Sequence, residues 1–221
     1  MIIAISITLF FIILRFSVTV FNFISNPKLT RVNRAYDDLV SILVPARDEE
    51  ENILTLLGSI HQQDYKNYEV IIYDDDSSDN TYATCSAFAK SHPHFSVIKG
   101  GRLPAGWLGK THACHQLSLK ATGRYLLFLD ADDKISNGLI NSAVHRMQLH
   151  KLGLLSLFTN QDMQTFGEKT TVPILHYMLL NLLPLRLVYL AKTAIISTAC
   201  GQFMLFDAAI YRQNQWHNRA L

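Results

Sequence analysis

Two aspartates one residue apart, Asp130 and Asp132, follow the apolar run Tyr125-Leu126-Leu127-Phe128-Leu129. Such a run, bounded by Gly123 upstream and by charge downstream, reads as a buried strand of a parallel sheet. Residues two apart in an extended chain share a face, so both carboxylates are expected to converge just past the strand's C-terminal end. Ligands of open α/β sheets sit at that edge. Two oxygen ligands there suit a hard divalent cation, Mg²⁺ or Mn²⁺, of the kind that holds a nucleotide diphosphate. Alone, the pair would read as a solvated acidic turn; other motifs of the chain argue for chemistry.

Three more polar clusters fall where strands end or helices begin. Pro45-Ala46-Arg47-Asp48-Glu49-Glu50 follows a first strand, Leu39–Pro45, that the proline is expected to end. Acids 48–51 are expected in the first turn of the next helix, where they suit its dipole. Asp74-Asp75-Asp76-Ser77-Ser78-Asp79 follows a second strand, Tyr68–Tyr73. Carboxylates at that place can accept hydrogen bonds from ribose hydroxyls or a base N–H, although Asp and Ser also form capping turns. Gly106-Trp107-Leu108-Gly109-Lys110 opens a helix at about 110–121. Glycines let backbone approach a ligand, and a helix N-terminus with a lysine can hold phosphate. The spacing is not that of a Walker loop. His112, His115, His92 and His94 are not expected to be ligands, because oxygen ligands already account for the cation.

The elements that must carry these groups alternate: strands near 39–45, 68–73, 95–99 and 125–129, with helices between them and after 139. Helical spacing is plain at Ile53, Leu56, Leu57 and Ile60. Short connections predict an α/β domain with a parallel sheet and right-handed crossovers. Of the 221 residues, 49% are hydrophobic and 17% charged, an apolar balance that points to membrane contact. A net charge of +2 gives no reason to expect nucleic acid. Cys85, Cys114 and Cys200 have no metal-site spacing and read as reduced core residues.

Residues 1–25 are apolar apart from Arg15 and scattered small polar residues, and are long enough to span a hydrocarbon core of about 30 Å. Arg15 at mid-membrane would cost about 2.5–3.5 kcal/mol, which the apolar residues around it offset. No basic n-region or cleavage site favours a signal peptide. Lys28, Arg31 and Arg34 in the basic stretch 26–38 predict a cytoplasmic downstream domain on a cell-membrane anchor. A second apolar stretch, 172–197, is interrupted by Pro173 and Pro184 and carries His176, Arg186 and Lys192. It reads as interfacial, or as a buried helix pair.

In order, Val-Pro-Ala-Arg-Asp-Glu-Glu, Asp-Asp-Asp-Ser-Ser-Asp, Gly-Trp-Leu-Gly-Lys and Asp-Ala-Asp resemble family 2 glycosyltransferases of GT-A fold, over roughly residues 39–217. The N-terminal anchor and Ala199-Cys200-Gly201-Gln202-Phe203 resemble the membrane-anchored carotenoid and hopanoid branch. The resemblance implies a GT-A domain over 39–221, a nucleotide-diphosphate-sugar donor, commonly a UDP-sugar, a lipid-like acceptor at the membrane, and inversion at the anomeric carbon. It implies that Pro45, Ala46 and Glu49 lie by the nucleotide. Asp74 and Asp75 would hold base or ribose, Lys110 would stand near the donor, and Asp130 and Asp132 would address the sugar diphosphate and its Mg²⁺ or Mn²⁺. The family's base is the aspartate of a Glu-Asp motif, which the resemblance puts beyond Leu221, so no catalytic residue is assigned within the chain. The later acids Asp162, Glu168 and Asp207 are not assigned as base, and Asp207 stands where the family more often has a basic residue. The alternative is a non-catalytic remnant that binds nucleotide-sugar. An Asp-x-Asp phosphotransferase is disfavoured, since its nucleophile belongs after the first strand, at Val44-Pro45-Ala46.

Overall fold

The computed structural model describes residues 1–25, 28–190 and 199–219. Of the stretches read above, residues 26–27, 191–197 and 220–221 lie outside the described residues. The chain divides into two compact units, Met1–Lys28 with Thr159–Thr198, and Leu29–Phe158 with Ala199–Leu221.

The first unit is helical. Its helix α1 (Ile2–Ser25) is long and apolar enough to cross a membrane, and carries exposed Ile, Leu and Phe along its length.

The second unit is built on a six-stranded sheet. In chain order its elements are β1 (Val40–Ala46), α2 (Ile53–His61), β2 (Tyr68–Asp74), α3 (Thr81–Ser91), β3 (Phe95–Lys99), α4 (Gly109–Lys120), β4 (Tyr125–Leu129), α5 (Leu139–His150) and β5 (Leu154–Leu157). After the first unit's α6 (Phe166–Leu182) and α7 (Leu185–Leu190), the sheet is completed by β6 (Phe203–Asp207), followed by α8 (Ala208–Asn214) and α9 (Trp216–Arg219). The strand order is β3-β2-β1-β4-β6-β5. β1 to β4 are mutually parallel, as their alternation with helices predicts; β6 runs antiparallel to β4 and β5.

Alternation along the strands sorts the core into two layers. Ile42, Val44, Leu127 and Leu129 pack with Ile53, Leu57, Ile140 and Val144 from α2 and α5 on one face. Leu43, Leu126 and Phe128 pack with Ala113, Cys114 and Leu117 of α4 and Tyr211 of α8 on the other. Each fully buried Leu or Ile removes enough apolar surface to stabilise the fold by about 1.5–3 kcal/mol.

Several local expectations are corrected. Pro45 does not end β1: it keeps its place opposite Tyr73, and the strand runs on to Ala46. Pairing with β4 stops at Leu43, so a residue without an N–H is tolerated beyond it. Acids 48–51 precede α2, which starts at Ile53 after Asn52. Pro173 sits inside α6 rather than breaking it; the break falls between α6 and α7, at Pro184. The antiparallel strands β5 and β6 had no forecast.

Residues 32–38 are fastened along the sheet unit. Asn141 of α5 donates through Nδ2 to the carbonyls of Val32 and Arg34 at 3.2 and 2.6 Å, and its Oδ1 accepts from the Tyr36 N–H at 3.2 Å. Tyr65 and Asn67 donate to the carbonyls of Asp38 and Asp37.

Candidate functional site

Strand order places β1 at the point where the chain reverses direction across the sheet, with β2 and β3 on one side and β4 on the other. Such a switch point leaves a crevice outside the carboxyl ends of the strands. Around it stand Ala46 at the end of β1, Asp74 at the end of β2 with Asp75 just after it, and Asp130 after β4.

The β1–α2 and β2–α3 loops are laced together. Asp48 Oδ1 accepts from the Ser78 N–H at 2.7 Å and from its hydroxyl at 3.0 Å, and the Asp48 N–H donates to Ser77 Oγ at 3.1 Å. Glu50 Oε2 accepts from the Asn80 N–H at 2.9 Å, while Asp79 Oδ2 accepts from the Glu50 N–H at 3.1 Å. Hydrogen bonds from Ser78 hold the Asp48 carboxyl below its ordinary value, and those from Thr81 do the same for Asp79. The acidic motifs thus divide: Asp48, Glu50, Ser77, Ser78 and Asp79 build the loops, and the Asp74 and Asp75 carboxylates take no part in that lacing.

Ala46 is buried, and its carbonyl accepts from the Asp75 N–H at 2.8 Å, tying the ends of β1 and β2 together. Asp74 is 1% exposed, and its Oδ1 has no hydrogen-bond partner in the protein. A buried carboxylate oxygen without a donor is costly, so one is expected from a ligand or water. Asp75 is 8% exposed and faces the Arg47 guanidinium at 3.9 Å. Its Oδ2 also lies against Gly109, where an added Cβ would approach it to 2.6 Å. Glycine at the start of α4 is what lets the Asp75 carboxylate stand there. Glu49 is half-buried, and its Oε2 accepts from Asn52 Nδ2 at 3.0 Å.

From α4, Lys110 Nζ donates to Asp130 Oδ1 at 2.6 Å. Burial pushes the lysine down, but the hydrogen bond and charge of Asp130 outweigh it and leave Lys110 above its usual value. Residues 130–133 form a turn instead of the extended run expected: Asp133 N–H donates to the Asp130 carbonyl at 3.2 Å, and Asp133 Oδ2 accepts from Asp130 N–H at 3.3 Å. Burial, then the charge of Asp130, pushes the Asp133 carboxyl up to about 6, with Asp132 adding repulsion and Lys110 opposing it. Asp132 itself is exposed.

The structure therefore joins Arg47, Asp75, Gly109, Lys110, Asp130 and Asp133 in a run of direct neighbours. Pro45, Lys110 and Asp130 also line a pocket of about 170 Å³ that includes His217. Asp133, Arg47 and His217 were not among the forecast site residues. Arg47 sits inside a quoted motif and Asp133 directly follows one, but nothing in the spacing showed their ion pair or hydrogen bond. His217 is brought against Phe128 across the fold, with ring centroids 4.9 Å apart, and its Nδ1 meets the Tyr211 hydroxyl at 2.5 Å. Burial, then the charge of His115, pushes His217 down to about 4, so it is neutral at pH 7. His112 and His115 pack on Trp107 at 5.4 and 5.2 Å.

The acids after β4 can be tested against a divalent cation. Among the described residues no group of three His, Cys, Asp or Glu forms a ready cage. One or two carboxylates with phosphate oxygens and waters are nevertheless the usual donor set for Mg²⁺, and Asp130 and Asp132 fit that description. The charges of Asp130 and Asp132 act on Asp133, a field that a cation would relieve.

Asp207 is bound elsewhere. It pairs with Tyr125 at the opposite end of β4, and its Oδ1 caps α8 by accepting from Ala209 and Ile210 N–H at 3.0 and 3.1 Å. Glu168 is held in a capping box with Thr165 at the start of α6.

Known proteins resemble the chain in sequence and in fold. The chain is 32% identical over 98 residues to the 4,4'-diaponeurosporenoate glycosyltransferase of Staphylococcus haemolyticus, covering 44% of this chain and 25% of that protein. It is 36% identical over 98 residues to the UDP-Glc:alpha-D-GlcNAc-diphosphoundecaprenol beta-1,3-glucosyltransferase WfgD of Escherichia coli, covering 44% and 36%. The matches thus span about a quarter to a third of those relatives' own lengths. The mannosyltransferase PcManGT of Pyrobaculum calidifontis, solved with GDP-Man and Mn²⁺, superposes with a TM-score of 0.67 at 19% identity, over 96% of this chain and 57% of that one. That likeness shows the GT-A fold. Residues 41–214 match the model of the family described as Glycosyl transferase family 2, and the strand-end carboxylates and lysine lie within that span. The chain belongs to glycosyl transferase family 2.

Proposed function

We propose that this chain is the anchored, donor-binding part of a glycosyltransferase that moves a sugar from a UDP-sugar to a lipid-like acceptor, metal-assisted and with inversion. In this reading residues 1–25 are the anchor in the cell membrane, 26–38 a basic juxtamembrane stretch, and 39–221 the transferase domain, facing the cytoplasm. The observation that carries it is the Lys110–Asp130 contact beside Asp132 and Asp133, across from the unpartnered Asp74 oxygen. Two relatives act, by their names, on a carotenoid acid and on a lipid-linked diphosphate, one of them from UDP-Glc; this supports the donor and acceptor classes.

Asp74 and Asp75 accept hydrogen bonds from the nucleoside, with the Arg47 guanidinium steadying Asp75. Ala46 and Pro45 form the apolar floor under it, and Glu49 stands at the rim. Lys110 moves from Asp130 to the diphosphate as the donor enters. Asp130 and Asp132 would hold Mg²⁺ or Mn²⁺, which when bound would supply charge neutralisation for the departing nucleoside diphosphate. Inversion needs a carboxylate to take the acceptor's proton. That role is assigned to none of Asp162, Glu168 or Asp207.

Calorimetric titration of the purified chain with UDP-glucose, UDP-GlcNAc and GDP-mannose in Mn²⁺ tests the donor. Tighter binding of the UDP-sugars is expected, and a preference for GDP-mannose overturns the assignment. Where transfer is measured, an α-linked donor is expected to give a β-linked product by NMR.

A further inference from the structure

The helical unit contains a polar latch in apolar surroundings. Asn22 of α1 is 4% exposed, while the residues around it on the helix, Phe21, Phe23 and Ile24, are exposed apolar groups. Its Nδ2 donates to the carbonyls of Leu180 and Leu183 at 2.8 and 2.7 Å, and its Oδ1 accepts from the Leu185 N–H at 2.8 Å. These backbone groups surround Pro184, where α6 stops and α7 begins. Asn181, 7% exposed, is satisfied as well: Nδ2 donates to the Tyr177 carbonyl at 2.8 Å, and Oδ1 accepts from the Thr19 hydroxyl.

A helix break in water needs no such provision, because solvent takes up the freed backbone groups. In hydrocarbon each unsatisfied group is costly, and broken helices persist only where side chains or neighbouring helices satisfy them. The outer faces agree with that environment: Ile174, Leu175, Tyr177, Met178, Leu182 and Leu187 are all exposed.

The latch also fixes a depth. Arg186 Nη1 donates to the Ser25 carbonyl at 3.3 Å, at the end of α1 just before basic residues that suit anionic headgroups. Asn22 and Thr19 lie three and six residues before Ser25, or about 4.5–9 Å along the helix. That matches the depth of about 5–10 Å at which interfacial helices bury their apolar faces.

We propose that α6 and α7 form a shallow hairpin inserted in the leaflet that holds the C-terminal end of α1, its apex latched to α1 by Asn22. The occupant of the exposed faces is the acyl region of that leaflet. The proposal rests on the reading of α1 as a membrane anchor.

The test uses the full chain, with Cys85, Cys114 and Cys200 replaced by Ser, in vesicles of phosphatidylcholine and phosphatidylglycerol. A single fluorescent cysteine is introduced by Leu182→Cys or by Phe10→Cys, and quenching by lipids spin-labelled at a shallow or a deep acyl position is compared. For Leu182→Cys, shallow quenching at least twofold stronger than deep is expected, and for Phe10→Cys the reverse. Adding Asn22→Ala should abolish quenching at Leu182 while leaving that at Phe10. No quenching at Leu182 with Phe10 quenched overturns the hairpin, as does deeper quenching at Leu182 than at Phe10. Quenching unchanged by Asn22→Ala overturns the latch. No quenching at either position overturns the anchor reading itself.

Discussion

Lys110 is where the opposing charges of the site meet. Its side chain is 60% exposed, and the hydrogen bond from its ammonium to Asp130 holds it above its usual value, so it can be handed to a diphosphate as a cation. Lys110→Met is therefore expected to weaken UDP-sugar binding by about tenfold, the loss of one charge-assisted hydrogen bond, while freeing Asp130 for Mn²⁺. Titrations of donor and of Mn²⁺ alone would move in opposite directions; a parallel fall in both would contradict the role. Gly109 carries a steric prediction. Its added Cβ would stand 2.6 Å from Asp75 Oδ2, so Gly109→Ala should displace that carboxylate and weaken nucleoside binding with helix content unchanged by circular dichroism.

At the scale of elements, the loops after β1 and β2 hold each other through Asp48 and Asp79. Both carboxyls lie below their ordinary value of 3.8 in the folded chain, so the clamp is intact above pH 4 and is lost as pH falls through the lowered values. Protection of the Ser78 and Glu50 amides, relative to their unstructured exchange rates at the same pH, should be high at pH 5 and fall below pH 4; Asp48→Asn should remove protection of Ser78 at pH 5 as well. This clamp was only half legible in the sequence. Asp and Ser after a strand announce a ligand site and a capping turn equally well, and only the cross-loop partners divide Asp74 and Asp75 from Ser77, Ser78 and Asp79. The parallel strands were plain, because continuous apolar runs with helical spacing between them leave few other readings. β5 and β6 were not: Leu154–Leu157 is four residues long, and its partner follows after the whole of the helical insertion. The turn at 130–133 was hidden for a different reason: a hydrogen bond from a backbone N–H to a carboxylate three residues on leaves no periodic mark.

Over the whole molecule, connectivity links the sheet edge to the apolar helices. The chain leaves β5 at Leu157 and returns at Phe203, residues that pair with each other, and Phe203 pairs with Leu129 just before Asp130. In sequence, the apolar insertion thus begins after Leu157 and ends before Phe203. The protein is expected to stay with membranes through alkaline carbonate extraction, and to be released when residues 2–25 are deleted; extraction of the full chain would contradict the anchor. The central claim is that the acids after β4 bind donor through a divalent cation. Calorimetry of UDP-glucose binding, with and without Mn²⁺, on the unaltered chain and on Asp132→Ala tests it most directly. Mn²⁺-dependent binding that Asp132→Ala abolishes is expected, whereas equal affinity in the two proteins would contradict metal-mediated donor binding.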